Sequence, residues 1–270
     1  MDHRLLVGST WTCRELDLLT ALGTLERAGF AEVEVWAEGF HLDPRVKPAV
    51  DSLVTWLDAR SLAVRSVHLP FDAILPGGSA DDRAQEWQRL CTETLDLAQT
   101  LGASLAVAHP VLFTDGADQG DRVLDRLVDS VQAIGEHAQA RGIQLALENM
   151  HTLRGPTLQS VRELRTALGR LTCPAGICLD IGHAVFNGYT GDGLIAEIAG
   201  AGELLINTHI HDSDGVGRDP HLVPGDGLVD WPATFDAFHA AGYQGRHVLE
   251  IRGGSDPYAT LLRARERLLS

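Results

Sequence analysis

Ionisable residues recur at one kind of place in this chain, the ends of short apolar runs. Glu34 lies in Val33-Glu34-Val35-Trp36, His68 in Ser66-Val67-His68-Leu69-Pro70, and His109 in Ala106-Val107-Ala108-His109-Pro110. Glu148 follows in Leu147-Glu148-Asn149-Met150, Asp180 in Cys178-Leu179-Asp180-Ile181-Gly182-His183, His209 in Thr208-His209-Ile210-His211-Asp212, and Glu250 in Val248-Leu249-Glu250-Ile251. Such a side chain at the end of an apolar strand is costly unless it is paired or bound to metal. Any one of them alone reads as a hydrogen-bonded core histidine or a structural ion pair; their repetition at successive strand ends reads as one shared site. Glu148, Asp180, His209 and Glu250 make a hard, mainly oxygen donor set. It suits Mn²⁺, Mg²⁺ or Co²⁺, admits Zn²⁺, and disfavours metals that prefer thiolates. An ion there polarises a carbonyl or holds a hydroxyl pair and acidifies the neighbouring C–H. A glutamate on each side of the bound molecule can then remove and return a proton.

A second constellation runs from Asp212-Ser213-Asp214-Gly215 through Asp219-Pro220-His221 to Pro224-Gly225-Asp226-Gly227 and Trp231-Pro232. Its glycines and prolines fix turns, and His183, Asp219 and His221 are expected to converge on it as further metal or substrate ligands, unless the last two only brace the loop. Trp36, Phe71, Phe113 and Phe186 lie near strand ends and are expected to wall a small ligand pocket; ordinary core packing is the alternative. Arg252-Gly253-Gly254-Ser255 before the last helix reads as a turn or as an anion site.

These residues need a scaffold that brings distant strand ends together. Short β-branched runs alternate with segments of helical periodicity, the pattern of repeated βα units. Strands are expected at Leu5–Ser9, Glu32–Trp36, Ala63–His68, Ser104–His109, Gln144–Glu148, Gly176–Asp180, Leu204–His209 and His247–Ile251. Helices are expected at Glu15–Ala28, Pro44–Arg60, Asp81–Leu101, Asp121–Arg141, Leu158–Leu168, Gly191–Ile198, Trp231–Ala241 and Pro257–Leu268, with Gly29, Gly102, Gly142 and Gly242 as left-handed stops. Eight of each predict a closed (β/α)₈ TIM barrel, and 270 residues without a low-complexity linker make one domain, residues 1–270. In such a barrel all strand ends open on one mouth.

Composition narrows the partners. Net charge is −15, from 37 acids against 22 bases, which argues against a nucleic-acid ligand. The bases expected on the mouth loops, Arg14, Arg154, Arg218 and Arg252, face Glu38, Asp72, Asp115, Asp212, Asp214, Asp219 and Asp226. Lys47, the only lysine, falls in an expected helix, which excludes a barrel-strand Schiff base. No run approaches the ~20 apolar residues of a membrane span, and nothing in the N-terminus reads as an export signal. Cys13, Cys91, Cys173 and Cys178 show no CxxC spacing and read as buried, reduced thiols of a cytoplasmic protein. A small molecule is the expected partner, and self-association into a homo-oligomer is left open.

Leu147-Glu148-Asn149, Asp180-Ile181-Gly182-His183, His209-Ile210-His211-Asp212 and His221-Leu222-Val223-Pro224-Gly225-Asp226-Gly227 together resemble the xylose-isomerase-like barrel superfamily, specifically its sugar phosphate isomerase/epimerase group. The resemblance runs the full length. It implies one ion on Glu148, Asp180, His209 and Glu250, the two glutamates serving also as acid and base, and substrate contacts from His183 and an arginine that Arg218 would supply. The related endonuclease IV type of apurinic-site nuclease implies up to three zinc ions, adding His68, His109, His183, Asp219 and His221. A dehydratase or lyase of the same enediolate chemistry, or a non-catalytic barrel, are the remaining alternatives.

Overall fold

In a computed structural model the described residues are 2, 5–46, 49–71, 78–113, 121–154 and 158–269, the side chains of 121–123 and 154 excepted. Eight parallel strands pair in sequence order and close on themselves. They are β1 Leu6–Ser9, β2 Glu32–Trp36, β3 Ala63–His68, β4 Leu105–Ala108, β5 Gln144–Glu148, β6 Ala175–Asp180, β7 Leu205–Ile210 and β8 His247–Leu249. Nearly every strand residue is buried, because barrel interior and surrounding helices cover both faces. The expected (β/α)₈ barrel is the observed fold.

The helices are α1 Leu18–Arg27, α2 Val50–Asp58, α3 Ala80–Thr100, α4 Asp121–Ala140, α5 Val161–Leu168, α6 Ile181–Phe186, α7 Asp192–Ala201, α8 Trp231–Ala240 and α9 Pro257–Leu269. Where they start later than expected, a cap decides. The Asp17 carboxylate accepts from the Thr20 N–H at 3.1 Å and begins α1 at Leu18 rather than Glu15. Ser160 and Glu163 form a capping box that begins α5 at Val161 rather than Leu158. The helix expected over Pro44–Arg60 is instead a 3₁₀ turn, Pro44–Val46, followed by α2; Lys47 lies outside the described residues. Gly29, Gly102, Gly142 and Gly242 all have positive φ and end their helices as expected. Among the described residues no helix is long and apolar enough to cross a membrane. All four cysteines are free and buried, Cys13 included.

Register positions the chemistry. Asp180 pairs with His209, so the ends of β6 and β7 stand nearly level, and Glu148 pairs with Cys178, two residues before Asp180. Ile210 pairs with Leu249, which places Glu250 one step beyond, at the rim of β8, its N–H donating to the Ile210 carbonyl at 3.3 Å. Register shifts at Val33/Glu34 and Ile177/Cys178 interrupt the two ladders that carry Glu34 and Asp180.

Candidate metal centre

The deepest of these side chains form one cluster. His209 Nδ1 lies 3.2 Å from Glu250 Oε2, 3.4 Å from Glu148 Oε1 and 3.9 Å from Asp180 Oδ2, and the four donor atoms all fall within 4.8 Å of one another. All four residues are buried. Glu148 Oε1, Glu34 Oε1 and both ring nitrogens of His209 make no hydrogen bond of good geometry among the described atoms, and Glu148 Oε1 and His209 Nδ1 are thereby left as donors to a cation. Burial disfavours the charged form of Glu148, yet His209 and His109 outweigh it and hold its pKa well below the usual carboxylate range. Burial likewise opposes charge on His209, but Cys178, Glu148, Glu250 and Glu34 raise its pKa well above normal. A pocket that stabilises positive charge on a buried imidazole is one into which a divalent cation fits. Cys178 lies within reach of Glu148 and His209, but burial raises its pKa, so it stays a thiol rather than a thiolate ligand.

Behind His209, its Nε2 lies 3.0 Å from Glu34 Oε1. Glu34 is fully buried, and its other oxygen accepts from Ser66 Oγ at 2.7 Å and from Asn207 Nδ2 at 3.4 Å. A carboxylate thus stands behind the ring while Nδ1 faces the donor cluster.

Two further clusters adjoin the first. Glu148 Oε2 lies 3.2 Å from both His68 Nε2 and His109 Nε2, so this carboxylate can bridge two ions. His68 Nδ1 donates to the Leu69 carbonyl at 3.0 Å, leaving Nε2 to face Glu148. Burial opposes its protonation, but Glu148, Glu250 and Glu34 raise its pKa to about 9; burial dominates at His109 and lowers it. The third cluster is His183, His211, Asp219 and His221. Asp219 Oδ2 lies 2.7 Å from His221 Nε2 and 3.2 Å from His183 Nε2, and both rings donate Nδ1–H to carbonyls, His221 to Glu250 (2.8 Å) and His183 to Asn149 (2.9 Å). His211 stacks on His221 with centroids 3.9 Å apart and reaches Asp180 at 3.0 Å, joining this cluster to the first.

Local structure explains the placement. The Asp180 carboxylate accepts from the His183 N–H at 2.6 Å and so caps α6, which turns His183 back over the mouth. Asn149 clamps the two strand ends: its Oδ1 accepts from the Asp180 N–H at 2.7 Å and its Nδ2 donates to the Asp180 carbonyl at 2.9 Å. The loop after β7 winds around buried Asp212, which accepts from Gly225, Val229 and Ser213 N–H and from the Trp231 indole at 2.8–3.1 Å. A Cβ at Gly227 would overlap that carboxylate. His221 sits in the left-handed region at φ 46°, the single non-glycine among the described residues to do so, a strain held in place by its bonds to Asp219 and Glu250.

The mouth is a cavity of about 230 Å³ lined by Trp11, Arg14, Phe71, His109, His151, His183, Asp219, His221, Glu250 and Arg252. Phe71 therefore stands where a pocket wall was expected. Trp36 packs on His41 and Phe113 on Trp87, and neither lines this cavity. Arg218 is exposed and does not line it; Arg14 and Arg252 do. Of the acids expected around the mouth, Asp219 alone lines it: Asp212 is buried in its loop, Glu38 receives the Phe71 N–H, and Asp226 pairs with Arg263 and Arg267. Asp72 and Asp115 lie outside the described residues, as does the Arg154 side chain. His211, His151 and Trp11 were not singled out from sequence, although His211 stands just past the end of β7, two residues after His209, and carried a detectable signal.

With this geometry established, similarity to known proteins bears on it. A family model described as xylose isomerase-like TIM barrel matches residues 22–268. An uncharacterized protein, MJ1311, of Methanocaldococcus jannaschii is 26% identical over 84% of this chain and 77% of its own length. Another, y4fM of Sinorhizobium fredii, is 31% identical over 59% of this chain; the match spans only about half, 52%, of that relative. The crystal structure of a D-tagatose 3-epimerase-like protein superposes with a TM-score of 0.83 at 22% identity, covering 98% of this chain and 95% of its own. Further matches carry the names of other sugar epimerases, inosose dehydratase, a zinc-bound protein and a family 2 AP endonuclease. By the extent of the family-model match, this chain belongs to the xylose isomerase-like TIM barrel family.

Proposed function

We propose that this protein is a divalent-metal-dependent isomerase or epimerase of a small sugar or related polyhydroxy carbonyl compound. The observation that carries this is the pairing of two buried glutamates, Glu148 and Glu250, against one histidine, His209, with Glu250 lining the cavity. Relatives named as sugar epimerases and inosose dehydratases support the same class. Glu148, Asp180, His209 and Glu250 would hold the ion, whose bound charge stabilises the negative charge that develops on a carbonyl and an adjacent hydroxyl oxygen. Glu250 takes the proton from the carbon beside the carbonyl, and Glu148 delivers one to the carbon being reprotonated, or the reverse for the opposite substrate hand. Glu34, 3.0 Å from His209 Nε2, would help to fix the ring's orientation, and Phe71 and Trp11 present apolar faces to the carbon skeleton. Loss of a β-hydroxyl after the same proton removal gives a dehydratase, so product analysis belongs with the rate assay. Four buried, unpaired thiols suit a reducing compartment, and we place the activity in the cytoplasm.

Solvent-deuterium incorporation into a panel of ketoses tests this. Glu148→Gln and Glu250→Gln are each expected to slow exchange by about 10²–10⁴-fold; exchange that survives both substitutions overturns the mechanism.

A second reading, phosphodiester hydrolysis at a three-ion centre, is favoured by the His68–His109–Glu148 and His183–Asp219–His221 clusters and by the two rim arginines. The overall charge of −15 opposes DNA binding. Cleavage of an abasic oligonucleotide at low salt supports this second reading, and absence of binding there removes it.

A further inference from the structure

Arg14 and Arg252 arrive at the cavity from different strands, one from the turn after β1, the other two residues beyond Glu250. Their guanidinium carbons lie 4.8 and 5.8 Å from the centroid of the same Trp11 ring. Trp11 in turn packs against His221, with ring centroids 4.3 Å apart. Two cations are therefore gathered around one indole at the edge of the third His/Asp cluster. Among the described residues no carboxylate pairs with the Arg252 side chain, and Arg14 has only its sequence neighbour Glu15, at 3.4 Å. Burial lowers the Arg252 pKa, and Arg14 and Arg218 lower it further against an opposing attraction from Asp219.

The two arginine-bearing loops are locked to each other. A Cβ on Gly253 would overlap the Thr12 carbonyl, so the backbones touch there, and Thr260 Oγ1 donates to the Gly253 carbonyl at 3.0 Å. The Arg252 N–H donates to the His221 carbonyl at 2.9 Å, which ties the same loop to the His221 loop. A second cavity, of about 370 Å³, continues from the first past Trp11, Arg14 and Arg252 to Gly253, Gly254 and Ser255. In a chain with 37 acids and 22 bases, two guanidiniums held against one indole on loops tied to each other repel, and a bound anion would offset that repulsion.

We propose that the substrate carries an anionic group, a phosphate monoester or a carboxylate, and that Arg14 and Arg252 grip it at the junction of these two cavities while the carbonyl end faces Glu250. This rests on the isomerase/epimerase reading for what happens at the carbonyl end, and on the arginine geometry alone for the anion. Charge sets the substrate class: a sugar phosphate or sugar acid rather than a neutral sugar.

Calorimetric titration of the metal-loaded protein tests it without turnover. The probes are inorganic phosphate, D-fructose 6-phosphate, D-gluconate and neutral D-fructose, at fixed ionic strength. At least one anionic sugar probe should bind more tightly than D-fructose, and Arg14→Gln and Arg252→Gln should each weaken that binding by about tenfold or more. Metal content should be unchanged in both variants, and Arg252→Lys should restore binding only in part, since a lysine lacks the bidentate fork. Preference for D-fructose 6-phosphate and inorganic phosphate identifies a phosphate ester; preference for D-gluconate identifies a sugar acid. Anion binding that persists in both arginine variants, as it would if the metal alone held the anion, overturns the proposal, as does D-fructose binding as tightly as the anions. Anion binding lost in the variants alongside absent deuterium exchange would keep this site and remove the isomerase reading.

Discussion

At the residue scale the account turns on His209, which has a donor cluster on one ring nitrogen and Glu34 on the other. If Glu34 positions that ring, Glu34→Gln should weaken Mn²⁺ binding by about 10–100-fold with the fold intact. Titration calorimetry with unchanged circular dichroism checks this, and wild-type affinity would remove the role. Much of this centre was legible in the sequence, because a charged residue ending an apolar run is conspicuous wherever the strands lie. Glu148, Asp180, His209 and Glu250 were legible for that reason, and so were His68 and His109. Side chains whose placement depends on a loop path were not. Arg218 and Arg252 both follow mouth strands, yet Arg252 lies two residues past Glu250 on a loop pinned by Gly253, whereas Arg218 sits on an exposed turn. Phe113 similarly leaves the barrel end to meet Trp87 on α3.

At the element scale the short helix α6 is the part the sequence did not reveal. Six residues are too few for a helical period to register, and the only available sign was an aspartate at a strand end acting as a cap. That helix matters, since it carries His183 and leaves room for His211. Gly182 stands against the His211 ring so closely that any Cβ would overlap it. Gly182→Ala is therefore expected to destabilise the metal-free protein by about 1–3 kcal/mol and to displace His211 from Asp180. Thermal denaturation measures the first effect. An unchanged melting temperature would mean that α6 yields easily and does not fix the cluster. The ends of β6 and β7, by contrast, fall within one residue of where their apolar runs were expected to stop.

At the scale of the whole molecule, two buried histidines remote from the donor cluster set an acid limit. Burial lowers the pKa of His41 to about 4, against a weaker opposing bond to the Leu16 carbonyl, and lowers His247 to about 4 as well. In the unfolded chain each takes up a proton below the ordinary value of 6.5, whereas in the fold each resists until about pH 4. The contribution of these two histidines to stability is thus full above pH 6.5 and falls as pH drops toward 4, by about 3 kcal/mol per histidine at most. His247→Gln should reduce that slope by about one proton in denaturant titrations of the metal-saturated protein; an identical slope would contradict the burial argument. The barrel also predicts coupling between fold and ion. Because the donors come from four different strands, chelation should lower the melting temperature, and added Mn²⁺ or Zn²⁺ should restore it. The closed barrel and its eight-fold alternation were readable from the repeated βα pattern, while the number of ions the clusters hold was not, since shared ligands such as Glu148 serve more than one.

The most direct test is anomalous diffraction from crystals grown with Mn²⁺. The account predicts an anomalous peak coordinated jointly by Glu148, Asp180, His209 and Glu250. Mn²⁺ bound in solution but no peak among those four side chains would contradict it.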